Sequence, residues 1–374
     1  MLFLLRGQQW SARQHLVTAS SGELSVNKKS MQFMVVFTGP TKTLLAFSRS
    51  AAMGTFIAIT LPPSSATLAS QLPFQDRTMT RKTAKDFDPE VLRLFDKYVH
   101  GLLPRRDFLS GAAKFAVGAV TAEGLLEALS PKFAEAQQIA PTDSRIKTER
   151  ISFPSPKGYG QVSGLLAKPA KANGKLPTIL VVHENRGLNP HIEDIARRLA
   201  VDGFIAFAPD ALQPLGGYPG DEDKARELFP KLDQAKTRED FLAAAAALKA
   251  LPEGNGKVGA VGFCYGGGIA NFLATQVPDL AAAVPFYGNQ PKAEDVPAIK
   301  APLLIHYAGV DERINAGWPA YEAALKAAGV KYEAYVYAGV QHGFNNDTTP
   351  RYDEAAARLA WQRTVDFFKK NLRA

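Results

Sequence analysis

From Arg145 to the C-terminus the chain repeats one pattern, a short apolar or alternating run followed by a stretch with helical spacing. "IKTERISFPS" and "GQVSGLLAKPA" alternate and read as an antiparallel pair of strands. "LPTILVVHE" is a β-branched run, continuously apolar from Ile179 to Val182, of the kind buried on both faces in a central strand. "FIAFAPD", "KVGAVGF", "LAAAVPFYG", "APLLIHYAG" and "KYEAYVYAG" are further strands. The segments "IEDIARRLAVDG", "REDFLAAAAALKAL", "YGGGIANFLATQV", "GWPAYEAALKAAG" and "EAAARLAWQRTVDFFKKNL" are helices. Strands separated by helix-length segments need crossover connections. Those build a mostly parallel sheet with helices on both faces, and few other folds remain open to such a chain.

Within this pattern, "AVGFCYGGG" holds the single cysteine, Cys264, at the end of the strand "KVGAVGF" and just before a helix opening at Tyr265. Gly262-Phe263-Cys264-Tyr265-Gly266 has the form of a nucleophile elbow with sulfur in place of hydroxyl. A nucleophile on so sharp a turn takes a strained backbone conformation, and side chains two positions before and after it would collide. The helix N-terminus beyond favours a thiolate or a developing oxyanion. Cysteine is also a common small apolar filler beside a Gly-rich turn. The glycine spacing does not match a dinucleotide-binding loop.

An elbow nucleophile needs a base and an orienting acid, and in this architecture the acid comes first and the histidine last. Asp311 follows the strand "APLLIHYAG", and His342 follows "KYEAYVYAG" in "VQHGFNN". Each stands just past the carboxyl end of its own strand, where the loops of an α/β sheet gather. In such a triad His342 takes the thiol proton and returns it to the leaving group, while Asp311 fixes the imidazole tautomer. The separate alternatives are a surface-turn aspartate and a capping histidine. The expected oxyanion donors are the backbone N–H of Tyr265 and one from the loop after "LPTILVVHE", at Asn185. Glu184 and Arg186 flank Asn185 and are costly there unless used or paired; a local Glu184–Arg186 ion pair is the plain reading. His183 and His306 read as core groups and His191 opens a helix, whereas His15 and His100 are expected outside the fold.

On these residues, roughly 145 to 374, the chain resembles the dienelactone hydrolase family of α/β-hydrolases. The motifs are "GFCYGGG", "VVHENRGLN", "APDAL", "VPFYG" and the Asp and His loops. The resemblance implies the α/β-hydrolase fold and hydrolysis of a lactone or carboxylic ester through a thioester. It also implies that Glu184 restrains the resting cysteine and then helps generate the thiolate, and that Tyr287 is an active-site position. One departure stands out. The family prototype has an arginine four residues past the histidine, and here that residue is Asn346, so Arg186, Arg313 or Arg351 is left to supply a charge toward a substrate carboxylate.

The upstream sequence is less regular. Residues 1–78 show apolar patches without a sustained period, and read as a disordered extension or as sequence upstream of a start at Met79. Residues 79–140 begin with helical spacing at Val91, Leu94, Phe95 and Val99. Next, Arg105-Arg106 with Phe108 and Leu109 resembles a twin-arginine export signal, with Ala134-Glu135-Ala136 as its small-residue cleavage site. The alternative is a helical hairpin packed on the main domain, favoured by Lys114, Glu123 and Glu127. These readings leave a periplasmic and a cytoplasmic location both open. No run of about 18 apolar residues suggests a membrane span.

The net charge of +8 comes partly from the first 77 residues, whose acidic residues are Glu23 and Asp76, and no dense basic-aromatic run points to nucleic acid. One cysteine excludes an internal disulfide and a multi-cysteine zinc site. The partner this implies is a small ester or lactone, with no metal or organic cofactor. Two alternatives use the same residues: a binding protein that has kept the fold, and a hydrolase of thioester, peptide or carbon–carbon bonds.

Overall fold

The computed structural model describes residues 31–38, 41–48, 56–60, 82–118 and 120–373. Most of the expected 1–78 extension, His15 included, lies outside these residues. Within it, β1 (Met31–Thr38), β2 (Thr41–Ser48) and β3 (Phe56–Thr60) form a small antiparallel sheet of their own. The sequence of β1, "MQFMVVFT", runs apolar nearly throughout, so it lacks the alternation that marks a half-buried strand.

Residues 81–374 form one compact unit around an eight-stranded sheet. Its strands are β4 (Ile146–Ser155), β5 (Gly160–Pro169), β6 (Leu176–Val182), β7 (Ile205–Pro209), β8 (Gly254–Phe263), β9 (Ala282–Phe286), β10 (Leu303–Ala308) and β11 (Tyr332–Tyr337). The spatial order is β11-β10-β9-β8-β6-β7-β5-β4. β4 and β5 pair antiparallel, as their alternation predicts, and β5 joins β7 antiparallel. Every other pairing is parallel. In the middle, β6 and β8 are neighbours, and Val181, Val182, Ala260 and Val261 are fully buried. Such strands need helices on both faces, and two apolar clusters supply them, one on each side of the sheet.

The N-terminal part of this unit is helical: α1 (Pro89–Val99), α2 (Arg105–Ala112), α3 (Ala122–Leu129) and α4 (Phe133–Ala136). α1 starts cleanly because Asp88 accepts the Glu90 N–H and Pro89 occupies the first turn. Its buried face is Val91, Leu92, Phe95 and Tyr98, rotated slightly from the expected one: Leu94 and Val99 are only partly buried. These side chains share a core with Phe108, Ala112, Leu125, Leu126 and Leu129. Arg105 and Arg106 thus open a packed helix, and Ala136 of the Ala-Glu-Ala triplet is buried. Among the described residues no helix is long and apolar enough to cross a membrane.

The later helices are α5 (Pro190–Val201), α6 (Glu222–Leu228), α7 (Gln234–Lys249), α8 (Tyr265–Gln276), α9 (Glu312–Asn315), α10 (Trp318–Ala327) and α11 (Glu354–Leu372). α6 has no counterpart in the sequence reading. It is seven residues long with Ala225 as its buried residue, too short to show an apolar period.

Phe108 is fully buried, its ring 6.2 Å from Phe95 and 5.4 Å from Tyr98. Phe108→Ala is expected to remove about 3–5 kcal/mol from the helical cluster. Hydrogen exchange should then show α1–α3 losing protection before the sheet does; uniform protection throughout the unit would contradict an N-terminal cluster with its own core.

Candidate active site

The site is built at the end of β8. Cys264 takes φ 55° and ψ −111°, one of two described non-glycine residues with positive φ. A non-glycine residue in that conformation costs on the order of 1–3 kcal/mol and persists only where its surroundings impose it. They do: Cys264 N–H donates to Phe286 O at 3.0 Å, and its carbonyl accepts Gly268 N–H at 3.2 Å. The flanking glycines are required by close approach. A Cβ on Gly262 would lie 1.9 Å from Gly266 O, and one on Gly266 would lie 2.2 Å from Val182 O. Tyr265 is the first residue of α8, where leading N–H groups have no acceptor within the helix.

The other expected residues converge on this turn. Asp311 follows β10 and caps α9 through Oδ1, which accepts Ile314 N–H at 3.3 Å. Its Oδ2 is 2.5 Å from His342 Nδ1, and both side chains are buried. With Nδ1 held by the carboxylate, Nε2 is the imidazole nitrogen left for the sulfur, and it has no conventional hydrogen-bond partner. A ring nitrogen of His342 lies within 4.8 Å of Cys264 Sγ. Burial opposes a thiolate, but the imidazoles of His342 and His100 outweigh it and bring the Cys264 thiol down to about 6. Burial likewise opposes charge on His342, while the thiolate and Asp311 raise it to about 10.

The loop after β6 forms another wall. The plain Glu184–Arg186 pairing is not how these side chains are satisfied. Glu184 Oε2 accepts from Asn346 Nδ2 at 3.0 Å, and the Arg186 Nε is 3.6 Å from Glu222 Oε2. Arg186 also donates to Asn185 O at 2.9 Å and Val99 O at 2.7 Å, and the Asn185 side chain donates to Val99 O at 3.0 Å. Tyr287, at φ 37°, is fully buried with an unpartnered hydroxyl, its ring 4.9 Å from that of His342. Of the candidate replacement arginines, Arg351 reaches Asp96 Oδ1 at 3.3 Å and Arg313 is exposed beside a cavity that Cys264 also lines.

One expectation is overturned. His100 does not lie outside the fold: its Nε2 is 3.3 Å from Cys264 Sγ, and its ring centroid is 4.7 Å from that of His342. It caps the C-terminal end of α1, and the bonds from Asn185 and Arg186 to Val99 O bring that end to the site. Separated from Cys264 by 164 residues, it carries no local pattern; its one sequence signal is a His-Gly pair closing a helix. His183, His306 and His191 are where expected, the first two in the core and the third in the first turn of α5.

His100 and Cys264 line two cavities. One of about 320 Å³ is bounded also by Tyr265, Tyr287, Phe229, Arg226 and Arg313. The other, of about 60 Å³, is bounded also by Glu184, Arg186, His342, Asn346 and Arg351. Among the described residues, His100, Cys264 and His342 are the one trio of His, Cys or carboxylate side chains whose polar atoms converge so closely.

A mostly parallel sheet with a strained cysteine at the strand–helix turn, and Asp and His loops beside it, defines an α/β-hydrolase. The dienelactone hydrolase family model matches residues 162–372, and a YqhI-like model matches residues 79–116. A putative carboxymethylenebutenolidase of Salmonella typhi is 34% identical over 253 residues, covering 62% of this chain and 93% of the relative. A putative hydrolase fragment, YghX, of Escherichia coli K12 is 55% identical over 114 residues, covering 30% of this chain and 97% of the fragment. The crystal structure of a putative dienelactone hydrolase from Klebsiella pneumoniae superposes with a TM-score of 0.54 at 31% identity, covering 60% of this chain and 99% of that one. The chain belongs to the dienelactone hydrolase family and is a hydrolase of that type.

Gly262→Ala tests the turn. Its Cβ has only backbone to meet, so we expect a loss of about 3 kcal/mol in urea unfolding together with loss of hydrolysis. Wild-type stability would show that the turn has room for a side chain.

Proposed function

We propose that this protein hydrolyses a lactone or carboxylic ester through a covalent thioester on Cys264. The observation that carries the reading is the conjunction at one point of a backbone-strained thiol and a buried imidazole, the latter held 2.5 Å from a carboxylate. In this reading His342 holds the thiol proton and Asp311 orients and supports the imidazolium. The thiolate attacks the substrate carbonyl, and the tetrahedral oxyanion is met by the backbone N–H groups of Tyr265 and Asn185. Collapse breaks the ester C–O bond, and His342 returns its proton to the leaving oxygen. His342, now neutral, takes a proton from water, which attacks the thioester and expels the thiolate.

Glu184 stands beside this chemistry with Asn346 as its hydrogen-bond donor. In this reading the pair shapes the small cavity, and Asn346 orients the carboxylate instead of offering charge to a substrate. Tyr287 lines the larger of the two cavities at Cys264, and its buried hydroxyl, without a partner, is available to meet a substrate oxygen. Arg313 is the exposed cation at that cavity and the side chain best placed to meet an acidic substrate group.

The test is hydrolysis of a dienelactone and of an aryl ester by the wild type and by Cys264→Ala, followed by absorbance. We expect the variant to lose at least about a thousandfold in kcat. With the thiol near 6 and His342 near 10, the thiolate–imidazolium pair spans that interval, so kcat/KM should fall as Cys264 protonates below it and as His342 loses its proton above it. Activity that survives Cys264→Ala would refute the nucleophile assignment.

A further inference from the structure

Two imidazoles, not one, face the sulfur. His342 comes from the loop after β11 and has Asp311 behind it. His100 comes from the C-terminal end of α1 and has Asp96 behind it. Its Nδ1 is 2.7 Å from the Asp96 carbonyl oxygen and 3.3 Å from Asp96 Oδ1, while its Nε2 is 3.3 Å from Cys264 Sγ. The Asp96 carboxylate is held in turn by Arg351 Nη1 at 3.3 Å, and that guanidinium lies 5.2 Å over the Phe95 ring. With Nδ1 as donor to Asp96, Nε2 is the only ring nitrogen facing the sulfur. Protonated, it donates to the thiolate.

The helix end carrying His100 is tied down on several sides. Val99 O accepts from Asn185 and Arg186, and the Tyr98 hydroxyl donates to Asp223 while the Arg226 guanidinium lies 4.3 Å over its ring. These bonds fix a side chain that the sequence supplies far from the hydrolase motifs.

We propose that His100 is a second catalytic imidazole of this hydrolase, a hydrogen-bond donor from Nε2 that holds Cys264 as a thiolate alongside His342, so that the helical segment 82–136 is part of the active site. The inference rests on Cys264 being the nucleophile. In the resting enzyme His342 carries the thiol proton, His100 carries a proton from solvent, and the sulfur accepts from both. Acylation forms the S–C bond and breaks the C–O bond, and the leaving oxygen takes its proton from His342. Water then loses a proton to His342 as its oxygen bonds the acyl carbon. The C–S bond breaks, the acid departs, and His100 meets the expelled thiolate. It keeps its own proton throughout.

The charges around His100 act in both directions. Asp96 behind it and the thiolate before it favour its charged form. His342 and Arg313 oppose it: Arg313 Nη2 lies 3.2 Å from Nε2 and can only donate, so a protonated Nε2 requires this exposed side chain to swing away from the ring. Glu184 and Arg186 face the cluster from the β6 loop, Glu222, Asp223 and Arg226 from α6, and Arg351 from the histidine loop. Burial works against an imidazolium here, but Cys264 and Asp96 outweigh it and raise the His100 pKa.

The full chain and its His100→Ala, His100→Gln and Asp96→Asn variants would be titrated from about pH 4 to 9 by thiolate absorbance near 240 nm, with Cys264→Ala as the blank, and kcat/KM for an aryl ester measured across the same range. We expect His100→Ala to move the thiolate midpoint up by about one pH unit, and to lower kcat/KM about tenfold at about pH 5.5 while changing it less than about threefold at pH 8. Asp96→Asn should shift both in the same direction by less. If the alanine variant does not fold, the glutamine variant, which keeps a donor but no charge, should show the same displacement in smaller measure. A midpoint and acid limb within about 0.2 unit of wild type, or a rise in activity on removing the imidazole, would overturn the role of His100. Activity retained in Cys264→Ala would instead overturn the nucleophile reading, whatever His100 does.

Discussion

Everything at this site hangs on one backbone turn. Cys264 sits at positive φ between β8 and α8 because the chain reverses there within contact distance of β6. Gly262 and Gly266 leave no volume for a Cβ. This turn presents the sulfur above the carboxyl ends of the central strands and puts it at the start of a helix. The Asp311 and His342 loops follow β10 and β11, on the same side of the sheet, so the geometry of a parallel sheet delivers them to the same edge.

The second organising feature is how buried charge is disposed of. Arg186, Glu184, Asp96 and Arg351 surround a thiol that titrates near 6, in a setting where unpaired charges are costly. Each has a partner from a different part of the chain: Arg186 uses Val99 O and Glu222, Glu184 uses Asn346, and Asp96 uses Arg351. The loop after β6 and the histidine loop are therefore satisfied partly by α1. This ties the N-terminal helices to the hydrolase unit through polar contacts at the site, while the helices keep an apolar cluster of their own.

The legibility of the chain follows from these facts. The strands and helices after Arg145 were visible because burial on two faces of a parallel sheet writes continuous apolar runs, and amphipathic helices write a 3.6-residue period. Cys264, Asp311 and His342 were visible because an elbow and post-strand loops occur in a set order. The partners of Glu184 and Arg186 were not, since nothing local distinguishes an ion pair two residues away from contacts at Asn346, Glu222 or Val99. His100 is illegible for the same reason: a histidine that closes a helix looks alike whether it faces solvent or a sulfur.

By itself, then, the sequence determined the sheet-and-helix order, the position of the strained turn and the candidate triad, because each is encoded in short-range periodicity or in glycines a few residues apart. Tertiary structure alone decided which charges neutralise one another, how the cavity divides around Cys264 and that a second imidazole reaches its sulfur. Those depend on contacts between segments separated by some 36 to 255 residues, and only packing brings such segments together.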